Sequence, residues 1–203
     1  MRSELNRDHW HPPYIRGERV LLRRPRPDDL TAVRRWYADP ELARLTRYQT
    51  RAMSDAEVDL FFRSRLLSPD ALAYSILELS TERLVGFVTF SALDADNGSV
   101  LFHITIGERD AWSRGFGTDT TRLMLGHAFD QLHLHRVGLT VFEFNERAIR
   151  SYEKAGFRVE GRLREAVRRD GRYWDEIQMG VLRDEWLAAR ARAREPSYAA
   201  EPG

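Results

Sequence analysis

The segment Trp112-Ser113-Arg114-Gly115-Phe116-Gly117-Thr118 stands between a strand-like run at 100–107 and a run carrying Leu125, Ala128, Phe129 and Leu132 at helical spacing. Strand, glycine turn and helix in that order constrain the fold more than any other stretch. A helix entered through glycines begins with unpaired backbone N–H groups, and its dipole adds positive potential at the same end. The turn is therefore a ready anion site, and a phosphate is the expected ligand. A dinucleotide fingerprint needs a third glycine where Thr120 stands, and the Gly-Lys-Ser/Thr ending of a nucleotide loop is absent. Taken alone, Gly115-x-Gly117 is also compatible with a plain tight turn packed against a helix.

The flanking pattern predicts an ordered set of elements. Residues 18–23 alternate as a strand, Pro25 and Pro27 stop it, and Asp28-Asp29 open a helix through Leu30, Val33 and Trp36. Asp39-Pro40 is read as the end of that helix, followed by loop as far as Ser54, whose spacing to Glu57 forms a capping box. Strands at 72–79, 84–93 and 100–107 make an antiparallel meander turned by Asn97-Gly98. After the motif helix come a strand at 136–142, a helix capped by Asn145 and stopped by Gly156, a hairpin of 159–167 with 173–182, and a helix at 184–194. The expected fold is α/β of the mixed α+β kind: one domain with a mostly antiparallel sheet of about seven strands flanked by helices. Residues 1–16 are expected as an arm or tail, 17–194 as the domain and 195–203 as a second tail.

At 203 residues and 42% hydrophobic, the chain suits a single sizeable core. It contains no apolar run of about eighteen residues and no export block at its start, so no membrane partner and a cytoplasmic location are expected. With 32 basic and 31 acidic residues there is no global electrostatic case for specific nucleic-acid binding. The absence of cysteine excludes disulfides, a cysteine nucleophile and thiolate metal sites. His133-Leu134-His135 has no carboxylate in matching register, so no metal is expected.

Two ordered motifs carry a resemblance. Arg114-Gly115-Phe116-Gly117-Thr118, followed by the stretch from Phe144 through Asn145, Tyr152 and Gly156 to Phe157, resembles the GNAT superfamily of acyl-CoA-dependent N-acyltransferases. Glu160-Gly161-Arg162 and Asp170-Gly171-Arg172-Tyr173 are similar to the branch containing ribosomal-protein alanine acetyltransferases and related amine acetyltransferases. The resemblance implies a splayed central strand pair and acetyl-CoA as acyl donor. It implies that the backbone of Ser113, Arg114, Gly115, Phe116, Gly117 and Thr118 holds the pyrophosphate, that Ile104, Thr105 and Ile106 pair with the pantetheine amides, and that Asn145 lies beside that arm. Trp112 departs from the Gln or Arg often found there.

The implied chemistry is transfer to a primary amine, of a protein N-terminus or a small molecule, through a ternary complex. An amine with a pKa of about 10.4 must lose a proton, and a departing thiol of about 8.5 must gain one. Tyr152, seven residues after Asn145, matches the superfamily tyrosine that protonates the thiolate, although its spacing with Ala148 and Ala155 also suits a core aromatic. Glu108, Asp110, Glu143, Asp175 and Glu176 are candidates for the base. The resemblance implies that the strand end at Glu108 lies near the acyl carbonyl, so Glu108 is the expected base, with a water chain as its alternative, and a backbone N–H near Ile106 the expected oxyanion donor. Trp36, Arg47, Tyr48 and Gln49 are expected on the acceptor side, with Tyr173 and Trp174 facing them. The rival reading is a non-catalytic acyl-CoA-binding or regulatory protein; monomer and homodimer are both open.

Overall fold

A computed structural model describes residues 12–194. The first eleven residues and the tail at 195–203 lie outside the described residues. In chain order the elements are β1 (Tyr14–Arg16), β2 (Val20–Arg23), α1 (Leu30–Ala38), α2 (Pro40–Thr46), α3 (Asp55–Phe61), β3 (Leu72–Glu78), β4 (Leu84–Asp94) and β5 (Ser99–Ile106). There follow α4 (Phe116–Gly126), β6 (Arg136–Phe142), α5 (Glu146–Ala155), β7 (Arg158–Arg169), β8 (Arg172–Leu182) and α6 (Arg183–Arg194).

The strands form one eight-stranded sheet in the order β1-β2-β3-β4-β5-β6-β8-β7. Every neighbouring pair is antiparallel except β5 and β6. That parallel contact extends only over Ser99↔Arg136, Val100↔Val137 and Leu101↔Gly138. Beyond it β5 stays on β4 as far as Gly86↔Ile106, while β6 stays on β8 as far as Phe142↔Glu176. The two strands therefore part after Leu101, each held by its outer neighbour.

Strand alternation divides the core between the two faces. Val88, Phe90, Val100 and Phe102 pack with Met124, Leu125, Phe129, Tyr152 and Ala155 of the α4 and α5 layer. Ala73 and Phe87 point the other way, into Val33, Trp36, Val58 and Phe62 of the α1 and α3 layer. Burying each such side chain contributes about 1.5–3 kcal/mol, so both layers hold the sheet from either side.

Local signals explain the helix ends. Ser54 accepts from Glu57 N at 3.3 Å, and the Glu57 carboxylate accepts from Ser54 N at 2.8 Å, which completes the capping box. Asn145 Oδ1 accepts from Ala148 N at 3.3 Å, and Gly156 ends α5 in the left-handed region at φ 110°.

Four features differ from the sequence expectation. The loop expected after Asp39 contains α2, because Asp39-Pro40 begins a helix as well as ending one: Asp39 Oδ1 accepts from Glu41 N at 2.8 Å, and Pro40 fits the first helical turn. Tyr14–Arg16, inside the expected arm, forms an eighth strand at the sheet edge. Asp29 does not simply open a helix, since it turns inward to accept from Arg23, Arg26 N and Ser75 Oγ, tying the start of α1 to β3. Single π-helical turns at Phe62–Leu66 and His127–Gln131 extend α3 and α4.

Candidate active site

The turn before α4 has the backbone that an anion cradle requires. Ser113 and Gly115 both adopt positive φ, at 61° and 84°. The first bond into the helix runs from Asp119 N to Gly115 O at 3.0 Å, which leaves the N–H groups of residues 116–118 without a partner one turn back. Asp119 does not line the cavity, because its carboxylate is engaged at the start of β2, accepting from Arg19 N and Val20 N at 2.7 and 3.1 Å. α5 closes on the turn from the other side: Thr118 Oγ1 and Ser151 Oγ are 2.9 Å apart, and a Cβ on Gly117 would stand 3.3 Å from that oxygen. The Arg114 side chain leaves the cradle to pair with Glu78, so only its main chain remains for the role expected of it.

The parted strands expose ladder groups in alternation. Gly107 N donates to Val85 O, and Gly98 O accepts from His135 N and Arg136 N, so odd residues of β5 face β4 and even residues face the gap. Ile104 and Ile106 thus present N–H groups to the gap. Thr105 does not: its carbonyl faces β4, close against Gly86, and only its side chain reaches the cavity. Trp112 caps one further group, donating from Nε1 to Ile106 O at 2.8 Å, and its ring carries the Arg147 guanidinium at 3.8 Å. The departure from Gln or Arg at this position therefore has a defined role.

A cavity of about 730 Å³ joins the turn, the gap and both faces of the sheet. Tyr152 lines it from the α5 side, its ring edge-on to Phe102 at 6.2 Å and tilted against Phe157 at 5.9 Å. Its hydroxyl makes no hydrogen bond to the other described residues, and burial raises its pKa, so it holds its proton. Asn145 lines the same wall but is occupied twice: its Oδ1 caps α5 and its Nδ2 donates to Leu45 O at 3.2 Å. Ile104, Ile106, Ser113, Gly115, Phe116, Gly117 and Thr118 complete the set of expected residues that the fold brings together.

Glu108 is not among them. Its carboxylate is paired with Arg35 and accepts from Trp36 Nε1 at 2.9 Å, so it braces α1 against the end of β5. Trp36 is likewise a core residue, stacked on Phe87 at 6.4 Å, and Tyr173 is an exposed ring facing Arg168. Trp174 packs on Phe144 at 5.4 Å, and Gln49 borders a smaller neighbouring hollow. Arg47 and Tyr48 do reach the cavity. Tyr48 donates to Glu176, and burial together with that carboxylate pushes its pKa up to about 12.

His103 comes forward from the sequence only as a candidate metal ligand, not as a base. It lies two residues past the last β5–β6 pair, lines the cavity on the face away from Tyr152, and its Nε2 is 2.7 Å from Ser91 Oγ. His103 is exposed at the cavity mouth, and partial desolvation of its ring, then the Arg65 charge, lower its pKa from the ordinary 6.5, which favours the neutral ring. The available signal was its place as the one titratable side chain within the alternating run at 99–106.

The site fits a large, phosphate-bearing thioester: unpaired N–H groups for the anion, exposed ladder groups for an amide-bearing arm, and room for a ligand of that size. A model of the acetyltransferase (GNAT) domain matches residues 19–158. Among curated relatives, an uncharacterized N-acetyltransferase p20 of Bacillus licheniformis is 24% identical over 171 residues, 83% of this chain and 96% of that protein. A spermidine N(1)-acetyltransferase of Vibrio cholerae is 30% identical over 112 residues, 55% of this chain and 64% of that protein. Among solved structures, a GNAT-family acetyltransferase from Bacillus anthracis aligns with TM-score 0.72 at 19% identity, over 84% of this chain and 99% of the other. The Vibrio cholerae spermidine N-acetyltransferase in complex with CoA and spermine aligns with TM-score 0.73 at 23% identity, over 83% and 98%. These two likenesses are ones of fold.

The chain belongs to the GNAT acetyltransferase family. It is an acyl-CoA-dependent N-acyltransferase, and acetyl-CoA is the acyl donor of that family.

Proposed function

We propose that the protein passes an acetyl group directly to a primary amine held beside the donor in the 730 Å³ cavity, without a covalent enzyme intermediate. The observation that carries this reading is the convergence of the 113–118 turn, the open edge of β5 and the Tyr152 hydroxyl on that one cavity. Acetyl-CoA supplies the acyl group as an activated thioester whose sulfur departs as a thiolate.

The residues divide the remaining tasks. Backbone N–H groups at 116–118 hold phosphate, and Ile104 N–H and Ile106 N–H offer hydrogen bonds along the gap. Tyr152 Oη gives its proton to the departing sulfur. On the opposite face His103 takes the amine proton. With Nε2–H donating to Ser91 Oγ, its Nδ1 keeps a lone pair for that purpose. Glu108 loses the base role to His103 because Tyr152 sits against Phe102, adjacent to His103 in the chain, whereas Glu108 lies beyond the end of β5 in an ion pair. An amine acceptor agrees with the spermidine acetyltransferases among the relatives.

The test is calorimetry with coenzyme A followed by thiol release from acetyl-CoA across amines of different class. Coenzyme A affinity with amine-dependent thiol release supports the reading. Affinity without release from any amine favours an acyl-CoA-binding module instead.

A further inference from the structure

The charges lining the cavity are one-sided. The whole chain is nearly balanced, at 32 basic to 31 acidic residues, yet among the described residues Arg47, Arg65, Arg147, Arg150 and Lys154 line the cavity and no Asp or Glu does. These cations form two groups. Arg147, Arg150 and Lys154 belong to α5, whose Ser151 touches the phosphate turn, so their position suits the donor's phosphates. Arg47 and Arg65 follow α2 and α3 on the other face of the sheet, among Tyr37, Phe61, Phe87 and His103.

Neither of this second pair is neutralised by the protein. Arg47 lies over the Tyr37 ring at 5.3 Å and donates from Nη2 to Tyr37 O at 3.3 Å, while its Nη1 is buried with no partner. Arg65 makes no ion pair with the other described residues, and its charge bears on His103. The nearest hollow contains Glu57, but that carboxylate is taken by Arg51 and Ser54. Several arginines near these faces pair with carboxylates, such as Arg34 with Asp59 and Arg51 with Glu57, whereas Arg47 and Arg65 on the acceptor face do not. A buried guanidinium N–H without a partner is costly, and planar guanidinium groups match oxyanions in a forked geometry.

We infer that the acceptor is an amine carrying its own oxyanion, a carboxylate or a phosphonate a few bonds from the nitrogen, attached to an apolar body. Arg47 and Arg65 hold the oxyanion, the aromatic wall of Tyr37, Phe61 and Phe87 holds the body, and the amine is left facing His103. A polyamine is a poor fit, since it would bring two or more further positive charges to a wall with no carboxylate of its own, the adjacent Glu176 being engaged by the Tyr48 hydroxyl. This inference rests on the reading of the cavity as an N-acetyltransferase site.

The test compares probes that differ only in the anion: L-phenylalanine, its 1-amino-2-phenylethylphosphonate analogue, L-phenylalaninamide and phenethylamine, with spermidine and an alanyl-phenylalanine dipeptide alongside. Each is assayed for kcat/KM and for binding to the coenzyme A complex by calorimetry. The expected result is a preference of about tenfold or more for phenylalanine or the phosphonate over the two neutralised analogues, the leading acid telling which oxyanion is favoured. Arg65→Gln and Arg47→Gln should raise KM for the acid by a similar factor and leave coenzyme A affinity unchanged. Arg65, being exposed, gives a variant that tests the idea even if Arg47→Gln fails to fold. Equal or better use of phenethylamine, phenylalaninamide or spermidine overturns the inference while leaving the acetyltransferase reading intact, as does coenzyme A binding with no affinity for either acid. Absence of both coenzyme A binding and transfer overturns the site reading and this inference together.

Discussion

Tyr152 meets Phe102 edge-on at 6.2 Å, and on β5 Phe102 precedes His103, whose side chain lines the same cavity. The proposed proton donor and proton acceptor thus line the cavity from opposite faces of the sheet. Tyr152→Phe keeps the ring contacts with Phe102 and Phe157 and removes only the hydroxyl. Turnover should fall about 10²-fold or more with coenzyme A affinity unchanged, as measured by steady-state kinetics and calorimetry. Full turnover in that variant would remove Tyr152 from the mechanism.

His103→Gln should lower kcat/KM about 10²-fold, and Glu108→Gln should leave kcat within a few-fold of the parent. If the two outcomes are reversed, the base is Glu108 after all.

The pH profile carries a sign. Partial desolvation and the Arg65 charge depress the His103 pKa below its usual 6.5, so the base is neutral above that value and is lost as pH falls through the depressed one. The acidic limb of kcat/KM should therefore lie below about pH 6.5. Arg65→Gln removes one cause and should shift the limb upward. The same depression means that protonating His103 opposes folding, so its contribution to stability is full above 6.5 and declines at lower pH. A limb that moves down in the Arg65 variant contradicts this assignment.

Gly115 sits at φ 84°, where a side chain costs about 1 kcal/mol or more. Gly115→Ala should weaken coenzyme A binding several-fold by disturbing the turn, with only a small drop in melting temperature. Unchanged affinity would mean that the phosphate lies elsewhere.

Much of the architecture was legible because local rules repeat themselves in the residues: Ser54 with Glu57, Asn145 with Gly156, and the alternation of 136–142 each specify a boundary by a hydrogen bond or a face. α2 was hidden because Asp39-Pro40 stops one helix and starts the next, and local chemistry is the same in both cases. The site divided differently. Gly115 and Gly117 announce themselves by what a Cβ would disturb, but the proposal of His103 over Glu108 as base depends on Arg35, Trp36 and Ser91, which come from elsewhere in the chain and meet only in three dimensions. The unneutralised pair Arg47 and Arg65 could not be seen either, because a missing partner is a property of packing.

The brevity of the parallel contact at Ser99, Val100 and Leu101 has a thermodynamic consequence. Two leaves of sheet joined by three rungs can breathe about that seam, and whatever occupies the opening supplies the rungs the polypeptide lacks. Heat resistance should then track donor concentration, rising by about 2.7 kcal/mol at a hundredfold excess over the dissociation constant. Amide hydrogens of Ile104 and Ile106 should pass from fast to slow exchange over the same titration.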